Sequence, residues 1–469
     1  MTTTTTGQPA ATRNPRVAFV SLGCAKNLVD SEVMIGKLGA AGWDLVPEAA
    51  DADAIVVNTC AFIDPAKAES TEVILEHAER KRADQQLIVA GCLSQRFGTE
   101  LQSLIPEIDG VVGTGAYASI VELLDDARAG KRPVRLDFEA EPEHDFLPRL
   151  ITTPSATAYL KIAEGCDHPC TFCIIPQLRG AFRSRSEESI LMEARALAAG
   201  GTKELILIAQ DSSMYGRDRG AKRGGLAHLL HELHAVDGLE WIRLLYLYPA
   251  TVDDELIEAM ATLPKVCTYM DMPLQHAHPE VLRAMRRPSN GDRYLEIIEQ
   301  FRRRIPGVTM RSTFIVGFPG ETEEHVAYLE EWIGRAQLDR VGFFTYSREE
   351  GTPGATLAHQ VPAKEKRRRL VRLREAQRLA SDRARERRVG SVVRVLVEER
   401  RKLRRTDPIA VALGTTEVTV GRSMGEAPGV DGGIFFAAPA VAGSFVDVRL
   451  DGAGAFDFYG AVVAAAVPA

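Results

Sequence analysis

Three cysteines stand within eight residues of the chain, Cys166, Cys170 and Cys173, in the spacing C-x3-C-x2-C. Thiolates this close in sequence cannot bridge one another without strain, but together they can hold one soft metal centre. Because a cubane iron–sulfur cluster normally takes four cysteines, three ligands predict a cluster with one iron open to a small molecule. The alternative is a zinc knuckle or a set of buried thiols. Zinc usually needs a fourth Cys or His at a fixed offset, and His168 inside the loop is badly placed for a tetrahedral site.

A second set of three cysteines is spread over the first part of the chain. Residues 17–22, 55–58 and 87–90 each predict a buried strand, and amphipathic stretches between them predict helices, so residues 16–135 indicate a doubly wound parallel sheet. The residues that follow these strands include Cys24, Cys60 and Cys92. The carboxyl ends of parallel strands share one edge, so these cysteines are expected to converge there. Three buried thiols are the alternative, but three cysteines at equivalent strand ends favour a second three-thiolate cluster.

The central part of the chain, residues 152–385, predicts a partial parallel (β/α)6 barrel. Its predicted strands lie at residues 159–162, 204–209, 241–248, 269–273, 310–316 and 340–345. The loop with Cys166 follows the first of these strands, and sites on such barrels lie at the carboxyl ends of the strands. The barrel is therefore expected to position the first cysteine set.

The remaining segments predict a tail, a helix and a small barrel. Residues 1–15 are rich in threonine and predict a disordered tail. Residues 363–388 predict a basic helix with an apolar stripe. Its basic residues are better explained as a solvated face than as an RNA contact. Residues 390–465 predict a small antiparallel five-stranded β-barrel of the OB type. Such modules often bind RNA, but residues 390–469 carry eight Lys and Arg against nine Asp and Glu, so a protein-docking role fits at least as well.

Composition restricts the class of protein. Of the 469 residues, 45% are apolar and 26% are charged, which is typical of a globular protein of two to four domains. Seven cysteines are too few for a secreted disulfide framework, and clustered thiolates need a reducing compartment. With no apolar leader and no apolar run long enough to span a bilayer, a cytoplasmic protein without a membrane partner is expected. The net charge of −7 argues against a nucleic acid as the main partner.

Taken together, these features resemble the methylthiotransferase family of radical S-adenosylmethionine (SAM) enzymes from residue 16 to about residue 461. The loop C-x3-C-x-aromatic-C is similar to the signature of the superfamily. The three upstream cysteines and a C-terminal barrel of the TRAM type narrow the resemblance to the methylthiotransferases. Residues 21–32, SLGCAKNLVDSE, resemble the RimO branch, which modifies an aspartate of ribosomal protein S-twelve. The branch that modifies tRNA typically has a Gln-Met-Asn-type run where this chain has Ala25, Lys26 and Asn27.

The resemblance implies two 4Fe–4S clusters and SAM as cofactors. It implies that Cys166, Cys170 and Cys173 hold a cluster whose open iron binds SAM. It also implies a sulfur-carrying second cluster on Cys24, Cys60 and Cys92. One SAM would methylate that sulfur, and another would supply a deoxyadenosyl radical that abstracts hydrogen from the β-carbon of aspartate. The implied partners are ribosomal protein S-twelve and an electron donor such as a flavodoxin or a ferredoxin. The alternatives are a tRNA adenosine methylthiotransferase and a non-catalytic iron–sulfur factor that binds the ribosome or RNA.

Four further residues are candidates for binding SAM or the substrate. Phe172 lies between two cluster ligands and could contact the adenine, although ordinary loop packing explains it equally. Gln210 follows a barrel strand, in a turn that could also be a helix N-cap. Arg185 could hold a carboxylate or form a surface ion pair. Gly317 could admit the adenine or could simply form a turn. Beyond the cluster ligands the sequence identifies no catalytic residue, and the lone Cys267 is expected to be structural.

Overall fold

A computed structural model describes residues 13–137, 148–153, 156–221 and 223–463. The chain divides into two compact units: Met1–Ala140 with Leu147–Leu150, and Glu141–Phe146 with Ile151–Ala469. Most of the predicted disordered tail, residues 1–12, lies outside the described residues. Among the helices of the described residues, none contains an apolar stretch of the length needed to span a bilayer.

The first unit is built on a parallel sheet of six strands. The strands are β1 (Arg16–Ser21), β2 (Asp44–Leu45), β3 (Ala54–Thr59), β4 (Gln86–Gly91), β5 (Gly110–Val112) and β6 (Val134–Arg135), and the helices are α1 (Ala25–Ala40), α2 (Asp64–Arg80), α3 (Cys92–Leu104) and α4 (Ile120–Arg128). Neighbouring strands follow the order β2-β1-β3-β4-β5-β6. The continuous apolar run of β3 is explained by its burial at every position. This strand order is that of a doubly wound sheet, which confirms the predicted fold class.

The second unit contains six parallel strands that form a partial barrel. They are β7 (Thr157–Lys161), β10 (Glu204–Ile208), β11 (Trp241–Leu244), β12 (Tyr269–Asp271), β13 (Thr309–Val316) and β14 (Arg340–Thr345), while β8 (Ala163–Glu164) and β9 (Arg183–Ser184) form a short antiparallel pair beside them. A parallel bridge between Ile242 and Val266 links the sheet β11-β10-β7 to the sheet β12-β13-β14. All six predicted barrel strands are present, so the (β/α)6 prediction is confirmed.

Helices alternate with the strands of this unit along the chain. They are α5 (Ile175–Arg179), α6 (Glu187–Ala199), α7 (Gly225–His234), α8 (Asp254–Thr262), α9 (Pro279–Ala284), α10 (Gly291–Arg304), α11 (Glu323–Ala336), α12 (Pro353–Thr356) and α13 (Ala363–Glu386). The last of these is the predicted basic helix, and its apolar stripe packs on the barrel core through Leu373 and Ala380.

The C-terminal segment closes into a five-stranded barrel. Its strands are β15 (Val392–Lys402), β16 (Glu417–Arg422), β17 (Ile434–Phe436), β18 (Phe445–Ala453) and β19 (Phe458–Val462), and α14 (Pro408–Leu413) lies between the first two. The closed order β15-β16-β17-β19-β18 confirms the small barrel predicted from the sequence. Arg422 of β16 donates to Glu204, the first residue of β10, at 2.6 Å, so the small barrel docks where the core strands begin, opposite their carboxyl ends.

Candidate functional site

The cysteine loop of residues 166–173 leaves the first barrel strand through a fixed turn. Gly165 has φ +82°, and a Cβ atom there would lie 2.0 Å from the carbonyl oxygen of Ala181, so the turn requires glycine. The backbone N–H of Cys166 donates to the carbonyl of Gly180 at 3.1 Å. Just before this turn, β8 pairs with β9. This pairing holds together the two ends of the segment that contains the cysteine loop. The loop therefore starts at the carboxyl end of the first strand, as the sequence predicts.

Thr171 anchors the middle of the cysteine loop. Its backbone N–H donates to the carbonyl of Met285 at 3.2 Å, and its hydroxyl donates to the carbonyl of Ala284 at 2.9 Å. Its own carbonyl accepts from the N–H of Gly354 at 2.7 Å. These bonds hold the loop by its backbone and leave the cysteine sulfurs available for a ligand.

The thiols of this loop are desolvated. None of the seven cysteines forms a disulfide in the described residues, and Cys170 is buried. Burial raises the pKa of Cys166 to about 11 and the pKa of Cys173 to about 12. Metal binding to such thiols releases their protons, because the thiolate is the ligand. A soft thiol set in a desolvated loop fits an iron–sulfur group.

Several polar side chains next to the cysteine loop form a hydrogen-bonded cluster around Glu164, and this cluster includes the predicted residue Gln210. Glu164 accepts hydrogen bonds from Lys161 at 2.7 Å, from Arg179 at 3.1 Å and from the side-chain amide of Gln210 at 2.6 Å. Burial would raise the pKa of Glu164, but the charges of Arg179 and Lys161 outweigh burial and hold it well below its usual range. The buried Oε1 of Gln210 has no hydrogen-bond partner, so it offers an acceptor to a bound molecule.

The residue after Gln210 links its strand to the cysteine loop. One carboxylate oxygen of Asp211 accepts from the N–H and the hydroxyl of Ser213 at 2.9 and 2.6 Å, which is the N-cap arrangement considered as the alternative. The other oxygen lies 2.6 Å from Nε2 of His168. Sequence reasoning missed this role of His168, because a contact with a residue 43 positions away leaves no spacing signal.

Arg185 already has a carboxylate partner. Its guanidinium donates to Glu193 at 2.6 Å, to the carbonyl of Lys161 at 2.8 Å and to the hydroxyl of Ser189 at 2.8 Å. To bind the carboxylate of SAM or of a substrate, Arg185 would have to release Glu193. Its binding role remains a prediction.

Phe172 and Gly317 lie in one neighbourhood around Tyr346. Phe172 is half-buried and packs against an apolar cluster that includes Phe318 and Tyr346. Gly317 has φ +78°, and a Cβ atom there would lie 2.4 Å from a side-chain carbon of Lys366. Lys366 in turn donates to the carbonyl of Tyr346 at 2.6 Å. The space beside Gly317 is thus filled by lysine methylenes, and an adenine there would have to displace them.

The other three cysteines stand at one edge of the sheet of the first unit. They follow β1, β3 and β4, which are neighbours in the sheet. Thr59 and Gly91 are paired across β3 and β4, and Cys60 and Cys92 are the next residues of the two strands. Gly23 has φ +91°, and a Cβ atom there would lie 2.8 Å from the Cβ of Cys60, so the loop that carries Cys24 closely approaches Cys60. The convergence predicted from the strand pattern is confirmed.

Asn27 connects these three strand ends. It is completely buried, and its side-chain amide donates to the carbonyls of Leu22 at 3.1 Å and Thr59 at 2.8 Å. The thiol of Cys92 donates to its Oδ1 at 3.7 Å. The backbone carbonyl of Asn27 accepts from the side chain of Asn58 at 2.7 Å. The sequence drew attention to Asn27 only as the last residue of the run Ala25-Lys26-Asn27, so its buried role is a finding of the structure.

The number and type of the donors, rather than their spacing, indicate the kind of metal group. In the described part of the chain, no three cysteine sulfurs lie within 4.8 Å of one another, so neither set is closed around a single metal ion. Three thiols at each place are the donor set of an iron–sulfur cluster with one open metal position.

One other group of possible metal ligands stands in the described residues, His278, Glu280 and His325. The Nδ1 of His278 accepts from the backbone N–H of Glu280 at 3.3 Å, and the Nδ1 of His325 accepts from the N–H of Thr322 at 3.2 Å. In the neutral rings the proton is therefore on Nε2, which then has no lone pair for a metal. The two histidines act as helix caps, and the Nε2 of His325 lies 3.2 Å from the carboxylate of Glu280.

Comparison with known families divides the chain into three matching segments. Residues 160–333 match the radical SAM superfamily, and residues 389–463 match the TRAM domain. Residues 16–113, which contain Cys24, Cys60 and Cys92, match the uncharacterized protein family UPF0004.

Curated relatives match almost the whole chain. The chain is 45% identical over 466 residues to a protein of Symbiobacterium thermophilum named ribosomal protein uS12 methylthiotransferase RimO, covering 98% of this chain and 93% of that protein. It is 46% identical to the protein of the same name from Desulforudis audaxviator, covering 94% of this chain and 96% of the relative. Among solved structures, a radical SAM methyltransferase, TsrM, from Kitasatospora setae matches with a TM-score of 0.55 at 16% identity, covering 73% of this chain and 77% of that one, which supports the fold alone.

Proposed function

The chain belongs to the RimO family of radical SAM methylthiotransferases, and we propose on that premise that it transfers a methylthio group to the β-carbon of an aspartate of ribosomal protein uS12. The observation that carries the proposal is the presence of two separate sets of three cysteines, one in the loop after the first barrel strand and one at the carboxyl ends of β1, β3 and β4. An enzyme that only made a radical would need one such set.

The first set is proposed to bind the radical-generating cluster and the second to bind a sulfur-carrying cluster. The proposed ligands are Cys166, Cys170 and Cys173 in the second unit and Cys24, Cys60 and Cys92 in the first. When bound, the clusters and SAM supply a deoxyadenosyl radical and a methylthio group, which is chemistry that no side chain can provide for an unactivated C–H bond.

The contribution of the protein is to bind, orient and exclude water. Burial of the thiols of Cys166 and Cys173, which raises their pKa, places the proposed ligands in a site with little contact with water. The free Oε1 of Gln210 is proposed to accept a hydrogen bond from bound SAM or substrate. Glu164, kept ionised by Lys161 and Arg179, fixes the orientation of that amide, because it accepts from the Nε2 of Gln210.

Charge supports a protein substrate over tRNA. Several arginines of α13, the most basic helix, are paired with acidic residues: Arg368 and Arg372 with Glu323, and Arg378 with Glu375. Exposed cations neutralised in this way contribute little to binding of a phosphate backbone. The proposed substrate is therefore uS12. The proposed electron donor is a flavodoxin or a ferredoxin, as the family resemblance implies.

A strain that lacks the gene tests the proposal. Mass spectrometry of its ribosomal proteins is expected to show an unmodified uS12 aspartate, whereas the methylthio adenosines of its tRNA should be unchanged. Loss of a tRNA methylthio group with normal uS12 would instead identify the tRNA enzyme. Expression of the wild-type gene from a plasmid should restore the modification.

A further inference from the structure

A buried arginine lies against a cysteine of the first set. The Nη1 of Arg287 donates to the Sγ of Cys170 at 3.9 Å, and its Nη2 donates to the carbonyl of Pro273 at 2.5 Å. Arg287 is 6% exposed. Within the part of the chain that the structure describes, it forms no ion pair with a carboxylate.

A guanidinium that is buried without a counter-charge is costly, so a fold that retains one is expected to supply an anion. Three thiolates that hold a 4Fe–4S group give that group a net negative charge, and this charge grows by one unit on reduction. A cluster bound at Cys170 would supply this negative charge. Its attraction to the guanidinium of Arg287 would be stronger after it has gained an electron than before.

An aromatic stack holds the arginine in place. The ring of His168 stacks on the ring of Tyr248 with centroids 3.8 Å apart and an angle of 13° between the planes. The guanidinium carbon of Arg287 lies 4.2 Å from the centroid of the same Tyr248 ring. Because His168 covers one face of the ring at van der Waals distance, the guanidinium occupies the other face. Asp211 fixes the far end of the stack, since its carboxylate lies 2.6 Å from Nε2 of His168.

The stack thus starts in the cysteine loop, at His168, and returns to the same loop, at Cys170. We propose that Arg287 is a positioning residue that stabilises the reduced form of the cluster held by Cys166, Cys170 and Cys173, and so raises its reduction potential. The step it assists is the uptake of one electron by the cluster from the external donor. The inference rests on the proposed function, because it needs that cluster to be bound.

The test is a redox titration of the reconstituted full-length protein, followed by electron paramagnetic resonance, with iron content measured on the same samples. Arg287→Gln removes the charge, and Arg287→Lys keeps it without the planar group. Arg286→Gln is the matched control, because it removes the same charge from the exposed neighbouring residue. A set of samples with Cys24, Cys60 and Cys92 all changed to Ala isolates the signal of the first cluster.

At a potential that half-reduces the wild-type cluster, R287Q is expected to show at least a tenfold fall in the ratio of reduced to oxidised cluster, equivalent to a shift of about 59 mV for a one-electron couple. R287K should stay closer to the wild type than R287Q, and R286Q should not differ from it. An unchanged potential in R287Q, an equal shift in R286Q, or loss of iron from R287Q would each overturn the proposal, the last by showing a purely structural role. If the wild-type protein itself binds no iron at these cysteines, the proposed function fails instead.

Discussion

The side-chain amide of Asn27 donates a hydrogen bond to the backbone carbonyl of Thr59, the residue before Cys60, at 2.8 Å. Through this bond a residue at the start of one helix fixes the end of a strand 32 positions further along the chain. The same side chain accepts from the thiol of Cys92. The geometry of the second cysteine set therefore depends on a residue that is not one of its cysteines.

Asn27→Ala should impair this set of cysteines. The change removes a donor from the buried carbonyl of Thr59 and from the partly buried carbonyl of Leu22, so the free energy of unfolding is expected to fall by about 1–3 kcal/mol. In a background with Cys166, Cys170 and Cys173 changed to Ala, iron bound per chain should also fall. Lys37→Ala, further along the same helix, is the control and should retain its iron. Full iron occupancy in Asn27→Ala would show that the three strand ends hold their geometry without it.

The two cysteine sets should be separable. Cys60→Ala is expected to abolish methylthio transfer but to leave some cleavage of SAM, measured as deoxyadenosine, whereas Cys170→Ala should abolish both reactions. Cys267 provides a control, since it is also free and buried but lies before β12, where the barrel strands begin. Cys267→Ser should keep both activities. Equal loss of the first cluster in Cys60→Ala and Cys170→Ala would contradict the assignment of two sites.

Gln210 should contribute to SAM binding. Because its buried Oε1 has no partner in the protein, Gln210→Ala is expected to weaken binding of SAM about tenfold, which corresponds to about 1.4 kcal/mol. Equilibrium dialysis with the reconstituted protein measures this change. Gln177→Ala, an exposed glutamine of α5, should bind SAM as the wild type does. If Gln210→Ala binds SAM normally, the open acceptor serves another ligand.

The docking of the small barrel depends on Glu204. This carboxylate is fully buried and accepts from Arg243 at 2.7 Å and from Arg422 at 2.6 Å. Glu204→Gln removes a negative charge that neutralises these two buried guanidiniums. The free energy of unfolding should therefore fall by about 3–5 kcal/mol. Glu240→Gln, which removes an exposed pair with Arg394, should cost less than about 1 kcal/mol. Urea denaturation compares the two, and equal effects would contradict a structural role of the buried network.

The contribution of this buried network to the free energy of unfolding should depend on pH. Burial would raise the pKa of Glu204, but Arg422 and Arg243 lower it from 4.5 to about 2. A carboxyl whose pKa is lower in the folded protein stabilises the fold above its unfolded pKa and loses this effect as the pH falls. The contribution of Glu204 should therefore be complete above pH 4.5 and disappear towards pH 2. Urea denaturation between these values should show a shallower pH dependence in Glu204→Gln, and an unchanged slope would contradict the assignment.

Whether a feature of this molecule can be predicted depends on how far apart in the sequence its residues lie. The cysteine loop and the six barrel strands were predictable, because cysteine spacing and apolar runs are visible in consecutive residues. The convergence of Cys24, Cys60 and Cys92 followed from one topological rule for parallel strands.

Features that join distant segments were not predictable. His168 and Arg287 are separated by more than a hundred residues, and each is an ordinary loop residue until Tyr248 brings them onto one ring. The space that an adenine would need beside Gly317 is filled by Lys366, a residue of a later helix that no local pattern could place there. The extended strand predicted at residues 241–248 ends at Leu244, and Tyr246 adopts φ +63°, a turn conformation that its apolar neighbours do not signal.

The most direct test of the central claim uses the reconstituted protein with SAM, a reductant and ribosomal subunits that carry unmodified uS12. Mass spectrometry should find a methylthio group on a uS12 aspartate with the wild-type protein. A variant with Cys24, Cys60 and Cys92 all changed to Ala should form deoxyadenosine and leave uS12 unmodified. Modification of uS12 by that variant, or methylthiolation of tRNA with no change in uS12 by the wild type, would contradict the account.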